Sequence, residues 1–241
     1  MTSTHEPYLK AAGSDRLTRY YDLMARLGMR ERRLKNRVID LAQLAPGQRL
    51  LDLGCGTGTL VLMAHRRQPD ATVIGVDGDP TILGIARRKA RRAGIAVQFD
   101  EGMAYALPYA DGSFDSVVST LMFHHLTPDQ RQRTLAEVRR VLRPGGRLVI
   151  GDLARPHNRL MRLVRRLTLG LQRHGSSLHA HGALPAEHPA APDAAAPDGD
   201  PQGEITLEAL LATNGWRRVA PAERQMSLIG TIAIYALARP E

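Results

Sequence analysis

At 241 residues, 43% apolar and 24% charged, the chain is long enough to bury one sizeable α/β core. Its net charge of +9 permits an anionic partner, while an aromatic content of 4% argues against a surface that stacks single-stranded bases. A single cysteine, Cys55, excludes an internal disulfide framework and a cysteine metal cluster, and no run of about 18 apolar residues offers a membrane span, so a soluble, cytoplasmic protein without a metal site is expected.

Leu17, Tyr20, Tyr21, Met24 and Leu27 fall at helical spacing. A second helix is expected over 31–44, with Leu34, Val38, Leu41 and Ala42 inward and Pro46 and Gly47 ending it. Leu50, Leu51 and Leu53 suit a buried parallel strand around Asp52, and Gly54, Gly56 and Gly58 then mark a turn where backbone must approach something closely. Further along, a helix over 59–67, a β-branched strand over 72–76 stopping at Asp77, and a helix over 80–93 opened by Pro80 and Thr81 are expected. Its Ile82, Ile85, Ala86 and Ala90 should face in, with Arg87, Arg88, Arg91 and Arg92 as a solvated face.

Strands over 97–99 and 114–119 follow, then a helix capped by Thr127 with Pro128 at its first position and Leu135, Val138 and Leu142 inward. Pro144-Gly145-Gly146 should stop it before a fifth strand over 147–152. Five alternations of strand and helix predict a doubly wound parallel sheet, with ligands at the carboxyl ends of its strands. Residues 158–172 read as a basic amphipathic helix, and 174–203 as a flexible insertion rich in Ala, Pro and His, whose irregularly spaced histidines suit a linker better than a metal tract. A helix over 205–214, then strands over 216–220 and 228–237, close the chain.

A Gly-x-Gly pattern alone fits dehydrogenases and nucleotide transferases alike. Dehydrogenases favour a third glycine three residues after the second, to pack against a diphosphate; here that position is Thr59 and the third glycine is Gly58. Asp77 lies about 20 residues beyond the glycines, where a carboxylate accepts from ribose hydroxyls.

Leu51-Asp-Leu-Gly-Cys-Gly-Thr-Gly58 closely resembles the first motif of class I S-adenosylmethionine-dependent methyltransferases. The resemblance covers about residues 20–240 apart from the insertion, and it implies a Rossmann-like, seven-stranded mixed sheet whose last strand is antiparallel. It implies S-adenosylmethionine as cofactor, with Gly54, Gly56, Thr57 and Gly58 against the methionine and ribose portions, Asp52 fixing the loop, and Asp77 with Gly78 at the ribose.

Gly102-Met-Ala104, Leu107-Pro-Tyr109 and Asp111-Gly-Ser-Phe-Asp115 resemble the following motifs, except that Met103 stands where the family usually has an aspartate for the adenine amino group. Adenine would then lie against Met103 and the Ala104 backbone, or use Asp100 or Glu101. Leu142-Arg-Pro-Gly-Gly-Arg-Leu-Val149 matches the family's turn into strand five, and Arg19-Tyr-Tyr-Asp-Leu-Met24 looks like a segment of the ubiquinone and menaquinone C-methyltransferases, which would set Tyr21 and Asp22 over the cofactor.

Methyl transfer from a sulfonium needs alignment, exclusion of water and, for oxygen or activated carbon, a base. His124 and His125, after strand four, and Asp152 or His157, beyond strand five, are candidates, with Thr120 near the methionine moiety. Four parts are expected: a helical segment over the cofactor site, 1–45; the cofactor-binding core, 46–152; a lid helix and the insertion, 153–204; and a C-terminal helix and hairpin, 205–241.

The leading expectation is methylation of a small or lipophilic acceptor, quinone-like in view of the N-terminal segment; the basic helix is compatible with peripheral contact at a membrane, but a cover with a solvated outer face is the favoured reading of it. A nucleic-acid methyltransferase is disfavoured by the lack of a base-methylation motif or RNA module. A non-catalytic adenosine-nucleotide-binding module is kept open by Met103, and oligomeric state is not legible.

Overall fold

The computed structural model describes residues 31–154, 206–227 and 230–240. The expected helix over 16–28 with Tyr21 and Asp22, the basic helix over 158–172, His157 and the insertion over 174–203 lie outside the described residues.

Central to the sheet is β1 (Arg49–Leu53), flanked in parallel by β2 (Thr72–Asp77) and β4 (Phe114–Thr120). Its side chains alternate between two cores: Leu50 packs with one helical layer, Leu51 and Leu53 with the other. The first layer is α1 (Glu31–Ala42), α2 (Thr59–Arg67) and α3 (Pro80–Arg92); the second is α4 (Pro128–Val141) and α5 (Leu207–Thr213).

In α1 the buried residues are Glu31, Leu34, Val38, Ile39 and Ala42, so the inward face is centred near Val38 and leaves Leu41 at its margin, only partly buried. The helix lies close on the sheet because Gly151 has no side chain: a Cβ there would come within 2.9 Å of Leu34 Cδ1. In α3, Leu83 is buried beside Ala86 and Ala90, a position the spacing argument passed over in favour of Ile82 and Ile85. Asp79 caps α3 by accepting from the Thr81 and Ile82 amides, and Thr127 with Gln130 forms a capping box on α4.

The order β3-β2-β1-β4-β5-β8-β6 places β3 (Gln98–Glu101) at one edge and β5 (Leu142–Ala154) on the far side of β4. Strand five is longer than expected. Leu142 pairs Phe114 and Arg147 pairs Ser116, so the Pro144-Gly145-Gly146 turn is a bulge within the strand as well as a helix stop.

The closing segment makes three strands: β6 (Arg217–Arg218), β7 (Glu223–Ser227) and β8 (Gly230–Ala238). Pro221, which has no N–H to donate, falls between β6 and β7, and both pair with β8. β8 runs antiparallel to β5 from Arg147↔Ala238 to Ala154↔Thr231, the expected antiparallel final strand in a sheet of eight strands rather than seven. After β1 the chain winds outward through β2 and β3, then returns to β4 on the other side of β1. That reversal opens a crevice at the carboxyl ends of β1 and β4.

Candidate cofactor and methyl-transfer site

The glycine turn leaves β1 and is pinned to β2. The Gly54 and Cys55 amides both donate to the Val76 carbonyl, at 2.9 and 3.0 Å, and the Gly56 amide donates to Asp77 Oδ2 at 2.9 Å. Gly54, Gly56 and Gly58 all have positive φ, at 68°, 54° and 72°. Two of them are also hemmed in: a Cβ on Gly54 would lie 2.5 Å from Met122 Cγ, and one on Gly58 would lie 2.6 Å from the Phe99 ring. On Gly56 a Cβ would meet no described atom within 4 Å, so the turn is open at its middle.

Asp77 ends β2 and accepts from the Gly56 amide on Oδ2 and the Asp79 amide on Oδ1 at 3.0 Å, with the Gly78 amide also directed at it. Two carboxylate oxygens offer about four acceptor sites, so the group retains capacity for a ribose hydroxyl. Burial raises the Asp77 pKa, while the amides of Gly56, Asp79 and Gly78 act against that shift. Thr57 is buried beside Thr59, whose hydroxyl accepts from Lys89 Nζ at 2.6 Å.

Asp52, which the resemblance gave the role of fixing the loop, accepts no hydrogen bond from it. Its carboxylate is 1% exposed and, among the described residues, neither oxygen has a hydrogen-bond partner. Burial pushes its pKa up to about 7; Lys35 opposes the shift and Asp77 adds to it.

On the far side of β2, Gly102 donates to the Asp77 carbonyl at 3.1 Å, and Met103 and Ala106 close a small turn by an isolated bridge. Asp100, one of the carboxylates considered for adenine, accepts from Tyr109 Oη and Gln98 Nε2. Glu101, the other, is exposed, and Met103 and Ala104 lie partly exposed on the turn. The turn is anchored by residues that periodicity does not single out: Glu137 accepts from the Leu107 amide at 2.7 Å, and Arg140 donates to the Leu107 and Tyr109 carbonyls. The three-residue spacing of Glu137 and Arg140 marks a helical ion pair, and Arg140 holds the Glu137 pKa below its ordinary value.

At the methyl end, Thr120 finishes β4 and Leu121 adopts a left-handed conformation, φ 56°, while its amide donates to the Gly151 carbonyl at 2.8 Å. A leucine held in this region is strained, and the reversal it produces sends Met122 back over Gly54 and starts the turn Phe123–His125. There His124 Nδ1 lies 2.6 Å from Asp152 Oδ1, and the His124 amide donates to Asp152 Oδ2 at 3.2 Å. Asp152 is buried, 2% exposed, and also accepts from the Leu153 amide. The His125 ring lies 4.0 Å from that of His124, centroid to centroid; burial lowers its pKa and the charge of His124 adds to the effect. The structure therefore joins two of the candidate bases, His124 and Asp152, into one pair, with His125 beside them.

Residues 50–146 match the methyltransferase-domain family. The chain is 42% identical over 149 residues to a demethylmenaquinone methyltransferase of Thermus thermophilus, covering 61% of this chain and 67% of that protein. It is 40% identical to a demethylmenaquinone methyltransferase of Deinococcus radiodurans, covering 50% of this chain and 49% of the other. The fold is shared with the PH0226 protein of Pyrococcus horikoshii, at a TM-score of 0.64 and 20% identity, over 95% of this chain and all of that one. With the open glycine turn, the ribose-competent Asp77 and these likenesses in hand, the chain belongs to the class I S-adenosylmethionine-dependent methyltransferases.

The chain spans between about half and two thirds of the length of these curated relatives. The family's cofactor is S-adenosylmethionine, and the residues fit it: Asp77 has acceptor capacity for a ribose, and the middle of the glycine turn meets no described atom that would crowd a ligand.

Proposed function

We propose that the chain transfers the methyl group of S-adenosylmethionine to a small, lipophilic acceptor of the quinol type, at a ring carbon or oxygen. The printed names of its relatives support a quinone-like acceptor, and the observation that carries the chemistry is the His124–Asp152 pair at the carboxyl edge of β4 and β5. No helix among the described residues is long and apolar enough to cross a membrane.

When bound, the cofactor supplies an electrophilic methyl group on a positively charged sulfur. The chain's part is alignment and proton transfer. With a proton on Nδ1 donated to Asp152, His124 is fixed in the tautomer whose Nε2 lone pair is free to accept. His124 Nε2 would take the proton of a hydroquinone hydroxyl, which makes its oxygen, or the adjacent ring carbon through the enolate form, the nucleophile; in the carbon case the ring proton is then lost to solvent and the ring regains its aromaticity. Asp152 stabilises the imidazolium, which returns to the same tautomer by giving its Nε2 proton to solvent.

The test is mass spectrometry of a prenylated 1,4-naphthoquinol incubated with protein and methyl-labelled S-adenosylmethionine. A product heavier by one labelled methyl group is expected, and Asp152→Asn should lower kcat by about 10²-fold or more while leaving cofactor affinity within twofold. Cofactor binding without methylation of any reduced quinone would remove the acceptor class. Failure of both S-adenosylmethionine and S-adenosylhomocysteine to bind would remove the reading as a whole.

A further inference from the structure

The turn that carries His124 is tied to the sheet on two sides. On one side its bonds run to β5: the Leu121 amide donates to the Gly151 carbonyl at 2.8 Å, and Asp152 accepts from the His124 amide and lies 2.6 Å from Nδ1. On the other side it continues a link with β1. The pairing of β4 with β1 runs as far as Asp52↔Val118, and one residue further Ser119 Oγ donates to the Leu53 carbonyl at 2.9 Å. Met122 carries that link a step beyond the strands, onto Gly54. Its side chain fills the space a side chain at Gly54 would need, since a Cβ there would lie 2.5 Å from Met122 Cγ and 3.0 Å from Met122 Cβ.

Met122 is also where the histidine turn starts. Its carbonyl accepts from the His125 amide at 3.0 Å, and the Phe123 carbonyl accepts from the Leu126 amide at 3.1 Å. Met122 reaches Gly54 because Leu121, just before it, holds a φ of 56°. A leucine keeps that conformation only where its surroundings fix it, and the bond to Gly151 and the seat on Gly54 do so on either side. Gly54 is itself held from β2, by its amide on the Val76 carbonyl at 2.9 Å. The first glycine of the cradle is therefore packed between β2 and the Met122 side chain, and close packing leaves little slack for the two turns to move independently. An unbranched thioether suits such a seat, because it adapts to the uneven surface of bare backbone.

Resting on the methyl-transfer reading, we propose that Met122 is a positioning residue: seated on Gly54, it sets the distance between the bound nucleoside and the His124 ring. The acceptor has to fit between the methyl group and Nε2, and in-line transfer tolerates little error in that gap. Cofactor affinity, by contrast, depends on the glycine turn and Asp77, which remain when the Met122 side chain is removed.

The experiment compares the full chain with Met122→Ala and Met122→Leu. Hydrogen–deuterium exchange is followed with and without saturating S-adenosylhomocysteine, and methyl transfer is measured with a prenylated 1,4-naphthoquinol. In Met122→Ala the His125 and Leu126 amides should exchange about fivefold faster or more, and the bound nucleoside should no longer slow them as it does in the unsubstituted protein. The S-adenosylhomocysteine Kd and the acceptor KM should stay within about threefold, while kcat falls by about tenfold or more. Met122→Leu, which refills the seat, should bring exchange and kcat back to within about threefold. The pH midpoint of kcat should be the same in all three proteins, because the bond to Asp152 is untouched. Turn amides that exchange in Met122→Ala as they do in the unsubstituted protein, with and without the nucleoside, would overturn the proposal, as would a loss of kcat that Met122→Leu does not restore. If no reduced quinone is methylated, the acceptor class falls and the exchange comparison still decides the role of Met122. Failure of S-adenosylhomocysteine to bind the unsubstituted protein would overturn the proposal together with the methyltransferase reading.

Discussion

Gly56 and Asp77 are joined by a 2.9 Å hydrogen bond from the glycine amide to Oδ2, so the carboxylate that would receive the ribose also fixes the middle of the glycine turn. Removing it therefore acts twice. Asp77→Ala should weaken S-adenosylmethionine and S-adenosylhomocysteine alike by roughly 1.5 to 3 kcal/mol, the worth of charge-assisted bonds, as measured by calorimetry. Equal affinity in the mutant would separate Asp77 from the ribose.

The three glycines should not respond alike to alanine. Gly56→Ala meets no described atom and should cost the fold only the left-handed backbone penalty, about 1 to 2 kcal/mol, yet its methyl group occupies the open middle of the cradle and should lower cofactor affinity by at least tenfold. Gly58→Ala drives a methyl group into Phe99 and should lose stability as well as binding. Thermal melting and cofactor titration of the two variants, side by side, check the contrast.

Asp52 also makes a prediction for the empty protein. Its pKa is about 7 folded against 3.8 for the free side chain, so between those values the folded state binds more protons than the unfolded one. Stability contributed by that proton is full at low pH and is lost as pH rises through 7, by an amount on the order of 4 kcal/mol. Urea unfolding from pH 5 to 8 should show the decline, and Asp52→Asn should flatten the slope whatever its effect on the absolute value.

His125 should titrate below 6.5, because burial and the charge of His124 both disfavour its protonated form. In proton NMR its midpoint should lie below that of a free imidazole, and His124→Asn should raise it by removing one of the two causes. A midpoint that does not move would show that the rings, though 4.0 Å apart by centroid, are electrostatically independent.

Much of this was readable in the sequence because the decisive elements are local. Asp77 ends its strand where β-branched residues stop, and Asp79 with Pro80 states the start of α3 in three residues. The spacing of the glycines separated a nucleoside cradle from a diphosphate one. Two things were not readable. One was partnership: nothing in a strand register says that Asp152 will meet His124, 28 positions earlier, or that Asp52 will meet nothing. The other was β7, Glu223–Ser227, a mostly polar segment between the two expected closing strands that becomes a strand by pairing with β8. Glu137 and Arg140 were invisible as anchors of the 103–109 turn because their partners are backbone groups 30 or more positions away.

Phe99 has a wider consequence. It lies on a four-residue edge strand, and its ring fills the space a side chain would need at both Gly58 and Gly75. The outermost strand of the sheet is thus wedged by the loop that receives the nucleoside, and neither can drift in evolution alone. Relatives in which both this ring and the side chain at the position of Cys55 have become small should be the ones that tolerate a side chain at the position of Gly75, whose φ does not demand glycine, whereas Gly58 should remain glycine in both groups because its backbone does.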